Sequence, residues 1–371
     1  MAAECAVSIV LSTCNRASLL GPAIDSLVQQ IDTSPPYELV IVDNNSSDET
    51  RAVVERRMGG RVPVRYVFEP RQGLSYARNS GIEAARADLV AFTDDDVRVA
   101  GDWVPVIKRT FDARPDVDCL GGRTLPVWPS TPPRWLTRRH WVGPLALQDY
   151  GDEPFIVDAT RVLCLAGANV AFRRRVFDRI GLFSPAFPRS EDTELMLRLW
   201  RSGARALYVP GMMAHAVVQP ERLTKHYHRM WHSNIGRCNA RMVLDEMTGP
   251  TGGLRPTMPE FTRVLGVPLF AVRQLMGEVL RWFLHTVRAQ DAEAVWHEVM
   301  ARALVGRIRE SVALHRRRKR NARAKGSRGA APAPVIEIRE PTEKRCHDAR
   351  APVDRDRVGR RRPVATRTLD G

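Results

Sequence analysis

The sequence predicts an α/β fold built on a Rossmann-like, mostly parallel sheet that is flanked by helices. Short apolar runs rich in β-branched residues alternate with segments of helical periodicity between residues 6 and 96. The strands are nearly continuous apolar runs, which is typical of strands buried on both faces. Helical crossovers between such strands make neighbouring strands parallel.

Each predicted strand ends in a polar segment. Strands are expected over residues 6–13, 37–42, 64–68 and 89–92, and helices over 18–30, after Asp48 and up to Ala85. Ligands of open parallel sheets bind beyond the carboxyl ends of the strands. The polar clusters at residues 13–16, 43–47 and 94–96 are therefore predicted to line one crevice.

The rest of the chain has less regular patterns. A Pro- and Trp-rich segment over residues 126–152 is expected to be a long surface loop. Apolar residues at helical spacing predict an amphipathic helix over residues 262–287 and a second helix from 291 to about 314. The predicted domains are an α/β domain over residues 1–230, a helical extension over 231–315 and a basic disordered tail over 316–371.

The net charge of +15 raises the question of nucleic-acid binding. Residues 316–371 contain 18 Lys and Arg against 7 Asp and Glu, which leaves a net charge of only +4 for residues 1–315. That tail contains no Phe, Trp or Tyr, so it lacks the stacking surfaces of single-strand binders. Nucleic-acid binding is therefore disfavoured and stays a minor alternative.

The cysteines and the apolar segments indicate where in the cell the protein is expected. The six cysteines show no CxxC pairing and no metal-ligand spacing, and they are expected to be free thiols in a reducing cytosol. The N-terminal segment has no positively charged region before its apolar run, so no secretory signal is predicted. No apolar stretch reaches the roughly 18 residues of a transmembrane helix. A cytoplasmic location is expected.

Asp94, Asp95 and Asp96 follow the last of these strands and carry the clearest chemical signal. Three adjacent carboxylates raise one another's pKa unless a cation neutralises them. Mg²⁺ or Mn²⁺ prefers oxygen ligands and commonly takes one or two carboxylates, completing its shell with water and substrate phosphate. The cluster is therefore predicted to hold Mg²⁺ or Mn²⁺ beside a diphosphate, the alternative being a solvated acidic turn or helix cap.

Other polar residues have two interpretations each. Asp43 can bind a ribose or base at its strand end, or it can cap the next helix. Arg78 can reach a phosphate or base from its helix, or it can lie on a solvated helix face. Glu191 and Asp192 begin a helix, where the helix dipole favours negative charge, so either catalysis or capping explains them.

Taken in order, six sequence runs resemble the successive motifs of family 2 glycosyltransferases of the GT-A fold. The runs extend over roughly residues 6–215, and they are VSIVLSTCNR, ELVIVDNNSSDET, GLSYARNSGI, LVAFTDDDV, GANVAFRRRVF with IGLF, and SEDTELMLRLWRSG. The resemblance implies an inverting transferase that uses a nucleotide-diphosphate sugar. It also implies a divalent metal at a DxD-like site and a carboxylate that acts as general base.

The resemblance also assigns roles to individual residues. The residues implied to contact the donor nucleotide are Thr13, Arg16, Asp43, Arg78, Asp94 and Asp95. The residues implied to line the acceptor pocket are Gly167, Ala168, Asn169 and Glu191. Asp96 and His215 are the implied metal ligands, and Asp192 is the implied base. The run of three aspartates leaves the register of the metal ligand open by one residue.

The predicted function is thus sugar transfer to a hydroxyl acceptor in polysaccharide, glycolipid or glycoconjugate synthesis. The acceptor class covers a saccharide, a lipid-linked saccharide or a small molecule, and a nucleotide-sugar-binding or nucleotidyl-transferring enzyme is the alternative. The amphipathic helix over residues 265–287 and the basic run over 316–320 also predict peripheral contact with the cytoplasmic face of a membrane. Packing of that helix on the α/β domain is the alternative.

Overall fold

The apolar runs of the sequence form a central sheet in the computed structural model, which describes residues 5–31, 35–249, 252–257 and 259–326. The strands of the sheet are β1 Val7–Thr13, β2 Tyr37–Asp43, β3 Val64–Phe68, β4 Leu89–Asp94, β5 Val97–Val99, β6 Cys119–Val127, β7 Phe155–Val157, β8 Asn169–Arg173 and β9 Ala206–Val217. The predicted strands are confirmed to within two residues at their ends. The α/β class is confirmed as well.

Helices connect and flank these strands. They are α1 Ala17–Val28, α2 Thr50–Glu55, α3 Leu74–Ala84, α4 Trp103–Ala113, α5 Arg175–Ile180, α6 Glu191–Arg201, α7 Lys225–Met242, α8 Leu244–Met247, α9 Leu269–Val287 and α10 Asp291–Gly326. A short hairpin of β10 Arg263–Val264 and β11 Val267–Pro268 precedes α9.

The sheet order is β3-β2-β1-β4-β8-β6-β9-β5, and β7 pairs with β9. The four strands predicted from the sequence are all parallel, as expected. Beyond β4 the sheet becomes mixed, because β8 runs antiparallel to both β4 and β6. Strand β9 is parallel to β6 and antiparallel to β5 and β7.

Both faces of the sheet are buried, which explains the continuous apolar strands. In β1, Ile9 and Leu11 pack in the core on one face, whereas Val10 packs in the core on the other face. Helix α3 lies directly on β1, and a Cβ at Gly81 would be 2.2 Å from a methyl carbon of Val10. Glycine at position 81 therefore lets this helix approach the strand closely.

The helical segment that follows β9 packs as successive layers. Helix α10 lies against α7, and their backbones approach closely at two glycines. A Cβ at Gly236 would be 1.9 Å from the carbonyl oxygen of Ala303, and one at Gly306 would be 2.2 Å from that of Ser233. Helix α9 in turn packs on α10.

Two helix predictions were wrong at their ends. Helix α9 begins at Leu269 rather than at residue 262, because Gly266 has a φ of +82° and Pro268 an extended ψ of 134°, which together form the preceding hairpin. Helix α10 continues to Gly326, beyond the predicted end near residue 314. Residues 327–371, which hold most of the predicted basic tail, lie outside the described residues, and the domain boundaries stay a prediction.

The predicted loop over residues 126–152 begins at the end of β6 and includes one 3-10 turn at Arg138–His140. Trp135 and His140 of this loop are buried against His228 of α7. Among the residues that the structure describes, no helix is both long and apolar enough to cross a bilayer.

Candidate active site

Strand register brings the predicted polar clusters to one edge of the sheet. Thr13 at the end of β1 is paired with Asp43 at the end of β2, and Ser12 is paired with Asp94 at the end of β4. The predicted meeting of these three strand ends is therefore confirmed. The side chains beyond them form two groups of carboxylates, at residues 94–96 and at residues 191–192.

Arginines neutralise the first carboxylate group. Arg16 Nη1 lies 2.8 Å from Asp95 Oδ1 and 3.0 Å from Asp96 Oδ2, and Arg222 Nη2 lies 3.3 Å from the same Asp96 oxygen. The hydroxyl of Thr13 donates to Asp95 Oδ2 at 2.8 Å. Burial raises the pKa of Asp95 to about 6 against the opposing charge of Arg16. Asp95 is thus buried and held by Thr13 and Arg16, whereas the Asp94 side chain is partly exposed.

Arg78 connects the two carboxylate groups. Its guanidinium lies 2.7 Å from Glu191 Oε1 and 3.4 Å from Asp94 Oδ1, and its side chain is only 4% exposed. Burial raises the pKa of Glu191 to about 7, and Arg78 opposes this rise. The guanidinium also packs on Gly167, where a Cβ would be 2.6 Å from Arg78 Nη2. Arg78 is therefore a buried link within the site rather than a residue on a solvated helix face.

Asp192 differs from the other four carboxyl groups of the site. Its Oδ1 accepts a hydrogen bond from the Thr193 backbone N–H at 2.7 Å, and its Oδ2 accepts one from Gly167 N–H at 3.4 Å. Asp94, Asp95, Asp96 and Glu191 each form an ion pair, but no such pair involves Asp192 within the described part of the chain. Asp192 is therefore the carboxylate of the site that no guanidinium group contacts directly among the described residues.

The charge balance of the site fits a divalent cation. Five carboxyl groups are compensated by three guanidinium groups, those of Arg16, Arg78 and Arg222. Partial burial also raises the pKa of Asp94, against the opposing charge of Arg78. A hard cation that binds oxygen would relieve this repulsion, and carboxylates are the oxygen donors that Mg²⁺ and Mn²⁺ prefer.

His215 lies on β9, in register with Arg98 of β5. Two residues further, the N–H of Val217 donates to the carbonyl of Asp96 at 2.7 Å, so this part of β9 borders the aspartates. Among the described residues, the only group of three or more His, Cys, Asp or Glu ligands within 4.8 Å of one another is His285, Glu293 and His297, far along the sequence. The chain thus offers the aspartate site few ligands of its own.

Several predicted site residues are held by internal hydrogen bonds. Asp43 is buried, and its two oxygens accept hydrogen bonds from Ser46 N–H at 2.9 Å and Tyr66 O–H at 2.7 Å. Tyr66 has its pKa raised to about 12 by burial and by Asp43. The carboxylate therefore organises the turn after β2 and keeps only its remaining lone pairs for a ligand.

Asn169 and Ala168 belong to the packed interior. Asn169 Oδ1 accepts from Trp103 Nε1, and its Nδ2 donates to two backbone carbonyls, all at 2.9 Å. Ala168 lies in the core beneath the sheet face. Of the predicted acceptor segment, Gly167 lies against the Arg78 guanidinium, whereas the side-chain amide of Asn169 is held in the packed interior.

Arg222 was not predicted as a site residue. It lies in the short 3-10 turn Pro220–Leu223 after β9, and its guanidinium reaches Asp96 across 126 positions of sequence. No local sequence motif surrounds Arg222. It could have been predicted only from the need for a positive charge near the three aspartates.

Comparisons with known proteins agree with this geometry. Residues 8–181 match the sequence profile of the family described as "Glycosyl transferase family 2". These residues form a family 2 glycosyltransferase domain. They contain the aspartate cluster, Arg78 and Gly167, whereas Glu191 and Asp192 lie just after them.

Two curated relatives and one solved structure are similar to the chain. A glucosyl-dolichyl phosphate glucuronosyltransferase of Haloferax volcanii is 26% identical over 213 residues, which cover 54% of this chain and 66% of that protein. A validoxylamine A glucosyltransferase of Streptomyces hygroscopicus subsp. jinggangensis is 37% identical over 100 residues, which cover 26% and 24% of the two chains. The chain thus spans less than two thirds of the length of these relatives.

The solved structure is a mannosyltransferase from Pyrobaculum calidifontis in complex with GDP-Man and Mn²⁺. It superposes with a TM-score of 0.55 at 18% identity, and the alignment covers 83% of this chain and 87% of that one. This likeness identifies the fold as GT-A, as the sequence motifs predicted.

Proposed function

We propose that the protein is an inverting, metal-dependent glycosyltransferase that moves a sugar from a nucleotide-diphosphate sugar to a hydroxyl acceptor. The observation that carries this proposal is that Arg78 joins two sets of carboxylates, residues 94–96 and residues 191–192, which differ in their ion pairing. The aspartates at 94–96 are surrounded by guanidinium groups suited to a diphosphate, whereas Asp192 has no ion pair among the described residues. One group therefore suits charge stabilisation, and the other suits proton transfer.

The donor diphosphate would bind beside Arg16 and Arg222. Each guanidinium has further N–H donors besides those that contact Asp95 and Asp96, and its fork geometry matches phosphate oxygens. Thr13, Asp43, Asp94 and Asp95 lie where the strand ends meet and are the proposed contacts of the nucleotide. Arg78 holds Asp94 in position from below.

Asp192 is the proposed general base. It would accept the proton of the acceptor hydroxyl while that oxygen attacks the anomeric carbon from the face opposite the diphosphate. A single displacement of this kind inverts the anomeric configuration and needs no covalent enzyme intermediate. The hydrogen bonds from Gly167 and Thr193 orient the Asp192 carboxylate without neutralising it.

Asp96, with Asp94 beside it and His215 as a further candidate ligand, would hold Mg²⁺ or Mn²⁺, which would stabilise the charge that develops on the diphosphate. The excess of carboxyl over guanidinium groups and the Mn²⁺ of the Pyrobaculum calidifontis mannosyltransferase complex support this assignment.

The substrates are proposed by class. The solved relative binds GDP-Man, and the curated relatives are named as a glucuronosyltransferase acting on a glucosyl-dolichyl phosphate and as a glucosyltransferase acting on validoxylamine A. These names support a hexosyl donor and an acceptor hydroxyl on a saccharide, a lipid-linked saccharide or a small molecule. Cys5, Cys119, Cys164 and Cys238 form no disulfide with any residue in the described part of the chain, which supports the proposed cytoplasmic location.

A donor screen tests the proposal. Purified protein is incubated with UDP-, GDP- and TDP-sugars in Mn²⁺ or in excess EDTA, and release of sugar and of nucleoside diphosphate is followed by mass spectrometry. We expect one donor class to be consumed in Mn²⁺ only, and NMR of the product should show an inverted anomeric centre. Transfer of a nucleotidyl group, retention of configuration or full activity in EDTA would each contradict the proposal.

A further inference from the structure

Helix α9 presents an apolar face to solvent. Of its residues only Ala271 is buried. The large apolar side chains that we call the apolar stripe are 38–69% exposed, and they are Leu269, Val272, Met276, Val279, Leu280, Phe283, Leu284 and Val287. Their spacing of three and four residues places them along one side of the helix. A contiguous patch of exposed apolar side chains marks an interaction site.

The opposite side of α9 is already covered by α10. Glu278 accepts a hydrogen bond from His297 of α10 at 2.7 Å, and the rings of His285 and His297 stack with centroids 5.1 Å apart. Glu278 and His285 of α9 thus face its neighbour, whereas the apolar stripe faces outward. This is the reverse of the usual arrangement for a helix at the surface of a soluble domain.

A basic run lies next to one end of the apolar stripe. The hairpin tip before α9 exposes Val264 and Leu265, which extend the apolar surface. Gly266 of the same tip lies against α10, where its Cβ would be 2.6 Å from that of His315. Residues 316–320 of α10, with the sequence RRRKR, follow directly and are all exposed. No acidic residue occurs between residues 311 and 326.

We propose that the apolar stripe and the basic run together bind an anionic lipid surface, with α9 lying in the plane of the interface. An apolar helix face inserts at the boundary between headgroups and acyl chains, and basic residues nearby attract anionic headgroups. The exposed basic run beside the apolar stripe selects an anionic bilayer as the occupant, because its charge complements anionic headgroups. This inference does not depend on the transferase activity.

Co-sedimentation of the full chain with vesicles tests the proposal. We expect binding to vesicles that contain phosphatidylglycerol, weaker binding to pure phosphatidylcholine, and loss of the difference in high salt. Met276→Glu and Phe283→Glu should each lower the partition coefficient at least 10-fold, because each places a charge at the inserted face. Gln274→Glu, an exposed position on α9 outside the apolar stripe, is the matched control and should leave binding unchanged.

The double variant Arg316→Gln/Arg318→Gln tests the contribution of the basic run to vesicle binding. Each basic residue near an anionic surface contributes about fivefold at low ionic strength, so this pair should weaken binding by about 25-fold. The control Arg56→Gln/Arg86→Gln removes two exposed charges elsewhere and should have little effect. Size-exclusion chromatography with light scattering is run on every variant. Absence of vesicle binding, or a dimer that Phe283→Glu dissociates while vesicles do not bind, would overturn the proposal.

Discussion

Replacing Arg78 with methionine should destabilise the protein in a way that depends on pH. The guanidinium is buried, 2.7 Å from Glu191 and 3.4 Å from Asp94, so its removal leaves the buried Glu191 carboxyl without its ion-pair partner. Breaking a buried ion pair typically lowers the free energy of unfolding by about 3–5 kcal/mol. We expect Arg78→Met to fall in this range at pH 8.

The sign of the pH dependence follows from Glu191. Its pKa is about 7 with Arg78 present, above the ordinary value of 4.5, and loss of the guanidinium raises that pKa further. A carboxyl group with a raised pKa contributes stability that is complete below its unfolded pKa and is lost as pH rises through its folded pKa. The wild type completes this loss near pH 7, whereas the variant continues to lose about 1.4 kcal/mol per pH unit up to pH 8. The variant's deficit should therefore be about 1 kcal/mol larger at pH 8 than at pH 6.

Urea unfolding followed by tryptophan fluorescence at pH 6 and pH 8 measures both quantities. The double variant Arg78→Met/Glu191→Gln provides the control, because it removes the titrating group together with its partner. We expect it to recover most of the stability and to show no extra loss at pH 8. A deficit that is equal at the two pH values, or a double variant as unstable as Arg78→Met, would refute the reasoning.

Two further predictions concern packing and titration near the site. Gly167→Ala should displace the Arg78 guanidinium, reducing stability by about 1–3 kcal/mol in urea unfolding, whereas Gly211→Ala, with no atom within 4 Å of the added Cβ, should change it little. Burial lowers the pKa of His140, His228 and His232 from 6.5 to about 4. The stability that their neutral forms contribute is complete above pH 6.5 and should be lost by several kcal/mol as pH falls to 4; a flat profile would contradict this.

The half of the sheet that was predictable from the sequence is the half that forms by local crossovers. Strands β1 to β4 are mostly apolar runs, each joined to the next by a helix, so their composition and the turn residues between them identify them. Their parallel order then fixes which residues meet, and Thr13, Asp43 and Asp94 meet as expected. The family motifs added Glu191 and Asp192, which the residues alone left open between catalysis and capping.

The remaining contacts depend on long-range pairing that local patterns do not encode. Strand β8 inserts antiparallel between β4 and β6, and it is this insertion that buries Asn169 among backbone carbonyls. Arg222 reaches Asp96 only because β9 ends beside the aspartates, where Val217 N–H donates to the Asp96 carbonyl. The α9 periodicity predicted an amphipathic helix correctly, but only the structure shows that its apolar side faces outward.

We propose that Asp192 is the general base and that Asp96 holds the metal, and one experiment tests these two roles directly. Transfer rates and calorimetric titration with a nucleoside diphosphate and Mn²⁺ are compared for Asp192→Asn, Asp96→Asn and the exposed control Asp112→Asn. We predict that Asp192→Asn lowers transfer by about 10²- to 10⁴-fold with nucleotide binding unchanged, because general-base catalysis has that magnitude. Asp96→Asn should weaken Mn²⁺ and nucleotide binding together. Near-normal turnover of Asp192→Asn, or loss of nucleotide binding in that variant, would contradict the account and make Glu191 the next candidate base.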